Sequence, residues 1–139
     1  MIVQPYLNFD GRCEEALNFY KQAVGAEVQV LLRMSEAPAE FEMGEDQANQ
    51  VMHSCFRVGD TNIMASDCHG QGKPTFEGFS LSILADSGDE ATRIFNALSE
   101  GGQVEQPLTA TFFASHFGVV KDRFGVSWMV HVPLPQQAQ

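Results

Sequence analysis

The side chains best suited to chemistry in this chain of 139 residues stand at every second position of one apolar segment. His53, Cys55 and Arg57 share one face of that segment if it forms a β-strand, because side chains alternate across a strand. An imidazole beside a thiol could bind a metal or activate a nucleophile, and a guanidinium could hold a carboxylate or phosphate through two hydrogen bonds. The segment therefore predicts a functional face of a sheet.

Each of these residues also has an ordinary structural explanation. Histidines on distant strands, such as His53 and His131, more often make hydrogen bonds than bind a metal with Cys55 or a water. Cys55 has no third, orienting group in the sequence, so a buried and unreactive thiol is the stronger alternative to a nucleophile. Arg57 stands near a hairpin end, where a solvated position competes evenly with anion binding. Catalytic residues are therefore unassigned, with His53 and His131 as a fallback metal pair.

The functional face belongs to a predicted hairpin. Residues 51–58 and 61–67 are strand-length segments joined by Gly59 and Asp60, a pair suited to a tight turn. The more apolar set of alternate side chains is expected to pack under helices: Met52, Ser54, Phe56 and Val58. A second hairpin is predicted around residues 122–125, where Asp122, Phe124, Gly125 and Trp128 are interpreted as turn and core residues.

The chain contains one supersecondary unit twice. Residues 7–28 and 83–104 align without a gap at a constant shift of 76 (95 minus 19), which pairs Phe19 with Phe95. Each copy runs from a short strand through a turn into an amphipathic helix, and then through a glycine into another strand. A shift of 65 (129 minus 64) pairs the two hairpins and sets Met129 against Met64. A repeated half-domain usually builds a pocket.

Each half is thus predicted as strand, helix and three strands. The first half has strands at 3–9, 28–34, 51–58 and 61–67, and the second at 78–85, near 104, at 115–121 and at 126–132. This pattern predicts an α+β fold: two βαβββ modules that form a curved mixed sheet, with helices on the outer face and a concave cavity. We expect a single domain over 1–139, with module one at about 1–67 and module two at about 77–133. Residues 35–50 are predicted to form a long mobile loop.

The predicted ligand-binding cavity takes its polar and soft side chains from the open side of this sheet. They are Tyr6, Asn8, His53, Cys55, Arg57, Met64, Ser80, Ser82, Met129 and His131. Such a mixed lining suits a small molecule.

Composition limits the partners. The formal net charge of -10 repels phosphate backbones and anionic lipid, so neither nucleic acid nor a membrane surface is an expected partner. The acidity serves solubility, or it attracts a cationic ligand. No apolar run approaches the roughly 18 residues of a membrane span, and MIVQPYLNF lacks the basic start of a signal peptide, so a cytoplasmic location is expected. Cys13, Cys55 and Cys68 have no CxxC spacing and predict no disulfide framework.

Several separated motifs cover nearly the whole chain in a recognisable order: PYLNFDG, EALNFY, MHSCFRVGD, NIMASD, GFSLSI and KDRFGVSWM. In this order they resemble PhnB-like proteins of the vicinal oxygen chelate superfamily, which includes glyoxalase I, fosfomycin- and bleomycin-resistance proteins and extradiol dioxygenases. The resemblance implies the same paired modules and a homodimer. A methyltransferase description is often attached to PhnB-like proteins. This sequence has no glycine-rich nucleotide loop after the first predicted strand that would support it.

In the metal-using relatives, ligands stand on the first and last strands of each half. The matching positions here are Tyr6, Met64, Ser80 or Ser82, and Met129. Hydroxyls and thioethers are poor ligands for a hard divalent ion, so we predict no cofactor, with a divalent metal as the less favoured alternative. The predicted function is small-molecule binding with an unknown ligand. The alternative is an enzyme of the same superfamily, a lyase, isomerase or transferase with a non-standard metal site or a metal-free acid/base site.

Overall fold

The computed structural model describes residues 1–36, 48–67 and 73–135. The chain divides into two compact units, Met1–Pro74 and Thr75–Gln139. Each unit contains a strand, a helix and three further strands, which form one mixed four-stranded sheet. The predicted α+β fold of two βαβββ modules is confirmed.

Unit 1 comprises β1 (Tyr6–Phe9), α1 (Cys13–Val24), β2 (Glu27–Arg33), a short 3-10 helix (Met34–Glu36), β3 (Val51–Val58) and β4 (Thr61–Asp67). The strand order is β1-β4-β3-β2, in which β1 runs parallel to β4 and the other pairs are antiparallel. Helix α1 ends at Gly25, whose φ of 70° is the left-handed conformation that glycine adopts without steric cost.

Unit 2 comprises β5 (Leu81–Leu84), α2 (Gly88–Ser99), β6 (Gln103–Thr109), β7 (Ala114–Lys121) and β8 (Ser127–Pro133). Its strand order is β5-β8-β7-β6, with β5 parallel to β8. Tyr6 lies opposite Met64 in unit 1, and Ser82 lies opposite Met129 in unit 2. The two sheets therefore repeat each other at the positions that the sequence alignment pairs.

Each helix buries its apolar stripe against one face of its own sheet. In unit 1, Tyr20 of α1 stacks on Phe56 of β3 with ring centroids 5.7 Å apart, and both side chains are fully buried. In unit 2, Phe95 of α2 packs over Gly118 of β7, where an added Cβ would lie 2.7 Å from the phenylalanine ring. Burial of one such aromatic side chain is worth about 1.5–3 kcal/mol.

The turn between β7 and β8 is fixed by one buried carboxylate. Asp122 accepts hydrogen bonds from the backbone N–H groups of Phe124 and Val126, and its second oxygen accepts from the indole Nε1 of Trp128 at 2.8 Å. Gly125 supplies the positive φ, 93°, that the turn requires. The interpretation of this motif as turn and core chemistry is confirmed.

Helices α1 and α2 begin differently. Helix α2 begins with a local cap similar to a capping box: the Ser87 hydroxyl accepts from the Glu90 N–H, and the Glu90 carboxylate accepts from the N–H of Asp86, the residue before the N-cap. Helix α1 takes its capping carboxylate from a distant strand: Asp67 at the end of β4 accepts from the Cys13 N–H at 3.1 Å. The other oxygen of Asp67 accepts from the Val51 N–H at 2.8 Å. A buried acid thus joins three elements of unit 1.

Several predicted boundaries were wrong. Strand β1 begins at Tyr6 rather than at residue 3, although Pro5 already accepts a hydrogen bond from the Met64 N–H, because proline has no N–H to extend the ladder. Strand β5 begins at Leu81, so the preceding Phe79 is exposed. Met52 is also exposed rather than packed under a helix, because a bulge between the Leu32–His53 and Arg33–Val51 pairs interrupts the alternation.

Parts of three predictions lie outside the described residues: most of the loop at 35–50, the first half of the link at 68–77 with Cys68 and His69, and the end of the C-terminal tail. In the ranges that are described, no helix is both long and apolar enough to cross a membrane.

Candidate functional site

Each sheet has one face packed under its helix and one open face. On the open face of unit 1, one row of side chains crosses all four strands: Tyr6, Met64, Cys55 and Val30. Asn8 and Ser66 lie opposite each other beside this row, as do His53 and Leu32. The register thus brings together five predicted site residues of the first half, namely Tyr6, Asn8, His53, Cys55 and Met64.

Tyr6 makes a hydrogen bond and an aromatic contact on this face. Its hydroxyl donates to Ser66 Oγ at 3.2 Å, and its ring centroid lies 6.2 Å from that of His53. The Tyr6 side chain is nevertheless 44% exposed, whereas Ser66 is buried. The phenol therefore presents an aromatic surface while its polar end is held in place.

Arg57 stands at the end of the same face and already has a partner. Its guanidinium lies 2.7 Å from the carboxylate of Glu27, directly opposite on β2, and the two side chains are 47% and 64% exposed. An anionic ligand would have to displace Glu27. Of the two alternatives for Arg57, a solvated position and an anion-binding position, this environment favours the solvated one.

The cysteines of unit 1 have different surroundings. Cys55 is half-buried on the open face. Cys13 is buried under the sheet, 3.8 Å from Ser54 Oγ, and burial raises the pKa of its thiol to about 12. Cys13 is therefore an inert thiol at neutral pH. Cys55 was predicted from the sequence to be buried, and it is more accessible than that prediction.

The open face of unit 2 has two rows of uncharged side chains. One row is Ser82, Met129, Val119 and Gln106, and the other is Leu84, His131, Phe117 and Thr109. Ser80 stands before β5, and its hydroxyl pairs with that of Ser127 at 2.7 Å. Ser80 is therefore less available to a ligand than Ser82, which is exposed.

His131 lies in an aromatic cluster with Phe113 and Phe117. Both phenylalanine ring centroids are 6.0 Å from that of His131, and they lie 5.2 Å from each other in an edge-to-face arrangement. Nε2 of His131 is buried and has no hydrogen-bond partner among the described residues. A buried polar atom without a partner costs about 1–3 kcal/mol, so it needs an explanation.

The residues at the metal-ligand positions of the superfamily do not fit a hard divalent ion. Tyr6 and Met64 face each other in unit 1, as do Ser82 and Met129 in unit 2, so the available donors are hydroxyls and thioethers. Across residues 1–36, 48–67 and 73–135, no three His, Cys, Asp or Glu side chains gather as a metal site. These side chains therefore do not suit a hard divalent ion.

Sequence reasoning missed some residues on the open faces. Val30 and Leu32 of β2 are exposed there, and Phe117 and Val119 occupy the corresponding face of β7. The alternation of Phe117 and Val119 with Gly118 and Val120 carried the signal on β7. Phe113 had no such signal, because it lies in the loop before β7.

Comparison with known proteins gives the family. A family model described as 3-demethylubiquinone-9 3-methyltransferase matches residues 2–131. Protein PA1353 of Pseudomonas aeruginosa is 40% identical over 96% of this chain and 98% of its own, with a TM-score of 0.86. Protein YjdN of Escherichia coli strain K12 is 31% identical over 147 residues, covering 100% of both chains. The PhnB protein from Bacillus cereus is 27% identical over 95% of this chain and 99% of its own, with a TM-score of 0.80.

A more distant structure shares the fold. The glyoxylase/bleomycin resistance protein/dioxygenase domain from Frankia sp. EAN1pec is 13% identical over 96% of this chain and 98% of its own, with a TM-score of 0.70. The resemblance inferred from the sequence motifs is confirmed. The chain belongs to the PhnB-like family described as 3-demethylubiquinone-9 3-methyltransferase, and it shares its fold with the glyoxylase/bleomycin resistance protein/dioxygenase domain.

Proposed function

We propose that this protein binds a small organic molecule on the open faces of its sheets, without a divalent metal at the centre of the site. The observation that carries the proposal is the chemistry of the two equivalent pairs, Tyr6 with Met64 and Ser82 with Met129. These positions present thioethers and hydroxyls where metal-using relatives present ligands. Thioethers are polarisable and adapt to irregular apolar shapes, which suits contact with an organic ligand.

The apolar surface of these faces supports the same proposal. Tyr6, Val30 and Leu32 are each 43–44% exposed on the open face of unit 1, although their strands belong to a well-packed sheet. Sites for small molecules are lined mainly by apolar and aromatic groups with a few polar groups that orient the ligand. Tyr6 and His53 would supply those polar groups in unit 1.

Methyl transfer with a nucleotide-type cofactor is less well supported. Helix N-termini bind anionic groups when their N–H donors are free. Here the start of α1 already bonds to Asp67, and the start of α2 bonds to Ser87. The turn before α1 contains only Gly11 rather than a glycine-rich series. These features favour binding of a small molecule over methyl transfer, although the family model carries a methyltransferase description.

A fragment screen by thermal shift and ligand-observed NMR tests the proposal, before and after dialysis against EDTA. We expect hits that raise the unfolding temperature, because a ligand at 100 times its Kd adds about 2.7 kcal/mol of stability. EDTA should leave the affinities unchanged. Loss of every hit after EDTA, with recovery on addition of a divalent ion, would contradict the proposal. We also propose that the protein is a homodimer, which light scattering on the same samples tests through the molar mass.

A matched pair of variants locates the site. Met64→Glu puts a carboxylate in the middle of the open face of unit 1, and Gln22→Glu adds the same charge on an exposed position of α1. An uncharged apolar ligand of this face should lose at least about tenfold in affinity in the first variant, since burying an unpaired charge is costly. It should lose nothing in the second. Equal affinities in the two variants would show that this face is not the site.

A further inference from the structure

We infer that the open face of unit 2 takes a planar, uncharged ring bearing a hydroxyl or carbonyl group, and that His131 Nε2 bonds to that group. This inference rests on the proposed function and names its ligand class. Its basis is the buried Nε2 atom, which has no partner among the described residues and is flanked by the rings of Phe113 and Phe117.

The unsatisfied nitrogen points to a polar ligand atom. Hydrogen bonding within the protein accounts for the other buried polar groups of unit 2 described above, such as the Asp122 carboxylate with its three donors. The imidazole of His131 instead meets the Phe113 and Phe117 rings edge-to-face, and aromatic rings offer a polar atom at best a weak interaction. A hydroxyl or carbonyl oxygen placed there would recover the bond, which is worth about 0.5–1.5 kcal/mol.

The surroundings decide against a charged ligand. The neighbours of His131 across the sheet are Leu84 and Phe117, and the next row holds Met129 and Val119. On β7 the charged residue of this face is Lys121, four residues along the strand from Phe117 and therefore about 13 Å away at roughly 3.3 Å per residue. A charged group beside His131 would lose its hydration, and the residues paired with His131 offer it no counter-charge.

Phe113 explains how a ring can enter. It stands in the short loop before β7, where its N–H donates to Thr111 Oγ1 at 3.3 Å and Thr111 N–H donates to the Ala114 carbonyl at 3.0 Å. The adjacent Phe112 is 91% exposed. A ligand ring would take the place of the Phe113 ring against Phe117 and keep the edge-to-face contact, while its polar atom meets Nε2.

The test compares 4-methylphenol, which has a ring and a hydroxyl, with toluene, which lacks the hydroxyl. Histidine side-chain NMR on 15N-labelled protein follows each titration, and His131→Phe identifies the His131 signals by their absence. We expect 4-methylphenol to shift the Nε2 resonance of His131. We also expect its affinity to fall about three- to tenfold in His131→Phe, the loss of one hydrogen bond, while toluene changes less than about twofold.

His116→Phe is the matched control, because it makes the same substitution on β7 of the same unit, where the imidazole lies against Gly88 at the start of α2. It should leave both affinities and the His131 shift unchanged, and circular dichroism checks that both variants are folded. The inference is overturned if 4-methylphenol and toluene change equally in His131→Phe, or if the probe shifts only His53. Those results would leave the proposed function standing, because the metal-independent fragment screen tests it separately. Phe113→Ala should strengthen 4-methylphenol binding, and weaker binding would also contradict the inference.

Discussion

Replacement of Asp67 by asparagine should destabilise unit 1 strongly. The carboxylate is 2% exposed and accepts from two backbone donors, Cys13 N–H at 3.1 Å and Val51 N–H at 2.8 Å. The asparagine side chain would keep one acceptor oxygen and turn an NH2 group toward the other donor. A hydrogen bond to a charged group contributes about 1.5–3 kcal/mol, and the carboxylate also favours the positive end of α1. Since the relief of burying a charge offsets part of the loss, we expect about 2 kcal/mol.

Asp10→Asn is the control, because it removes the same charge from an exposed side chain close to the same helix and should cost less than about 0.5 kcal/mol. Urea unfolding followed by circular dichroism gives the two free energies of unfolding. Amide hydrogen exchange gives a local readout, in which the Cys13 or Val51 N–H should lose protection in Asp67→Asn. Equal stabilities in the two variants, or full protection of both amides, would refute the assignment of Asp67 as the capping residue of α1.

Further predictions concern the cap of α2, the turn between β7 and β8, and the cysteines. Ser87→Ala removes the cap of α2 and should cost about 1 kcal/mol in urea unfolding, whereas Ser87→Asp should restore stability to within about 0.5 kcal/mol; no loss with alanine would contradict the cap. In Trp128→Phe, Asp122 loses its indole donor, so we expect about 1–3 kcal/mol of destabilisation by circular dichroism, and wild-type stability would argue against that bond. Because burial raises the pKa of the Cys13 thiol to about 12, iodoacetamide at pH 8 should modify Cys55 but spare Cys13 in the folded protein. Rapid alkylation of Cys13 in the native protein, found by peptide mass spectrometry, would refute this assignment. Because the pKa is raised on folding, the contribution of the Cys13 thiol to the free energy of unfolding is fully present below the pKa of an unfolded thiol, about 8.5, and is lost as the pH rises toward 12.

The duplicated architecture was predictable because strong local signals repeat. Helix periodicity, glycine at helix ends and strand alternation depend on neighbouring residues, and the constant shift between Phe19 and Phe95 shows that both halves use them in the same order. The Asp122 turn was also predictable, since its donors lie within six residues along the chain. Physical effects of short range along the chain were therefore enough to predict the fold.

Features that depend on distant partners were not predictable in the same way. The bulge at Met52 arises from the register between β2 and β3, which no local pattern of β3 reveals. The cap of α1 comes from Asp67, 54 residues beyond Cys13 in sequence. An acid at the end of a predicted strand gives no sign of which helix it will reach.

The residues of the candidate site show the same difference between local signals and distant partners. The alternation of side chains along β3 placed His53 and Cys55 on the open face of the sheet, where the structure also has them. The ion pair between Arg57 and Glu27 depends on the pairing of β2 with β3, which the alternation does not reveal. Phe113 was missed because a loop residue has no periodicity, and its ring reaches the sheet only through the loop geometry. Face membership can thus be predicted, whereas pairing and loop contacts require the structure.

The two helix caps show how the repeat has changed. Both units keep the backbone plan, yet α2 has a local cap in which the Ser87 hydroxyl bonds to the Glu90 N–H three residues away, while α1 depends on Asp67 from β4. The same separation of backbone and side chain holds on the open faces. The register that sets Tyr6 against Met64 is repeated for Ser82 and Met129, but none of these side chains matches the carboxylate and imidazole donors that a hard ion prefers. Because strand pairing keeps these positions opposite each other whatever side chains they carry, the fold can change its chemistry without changing its sheets.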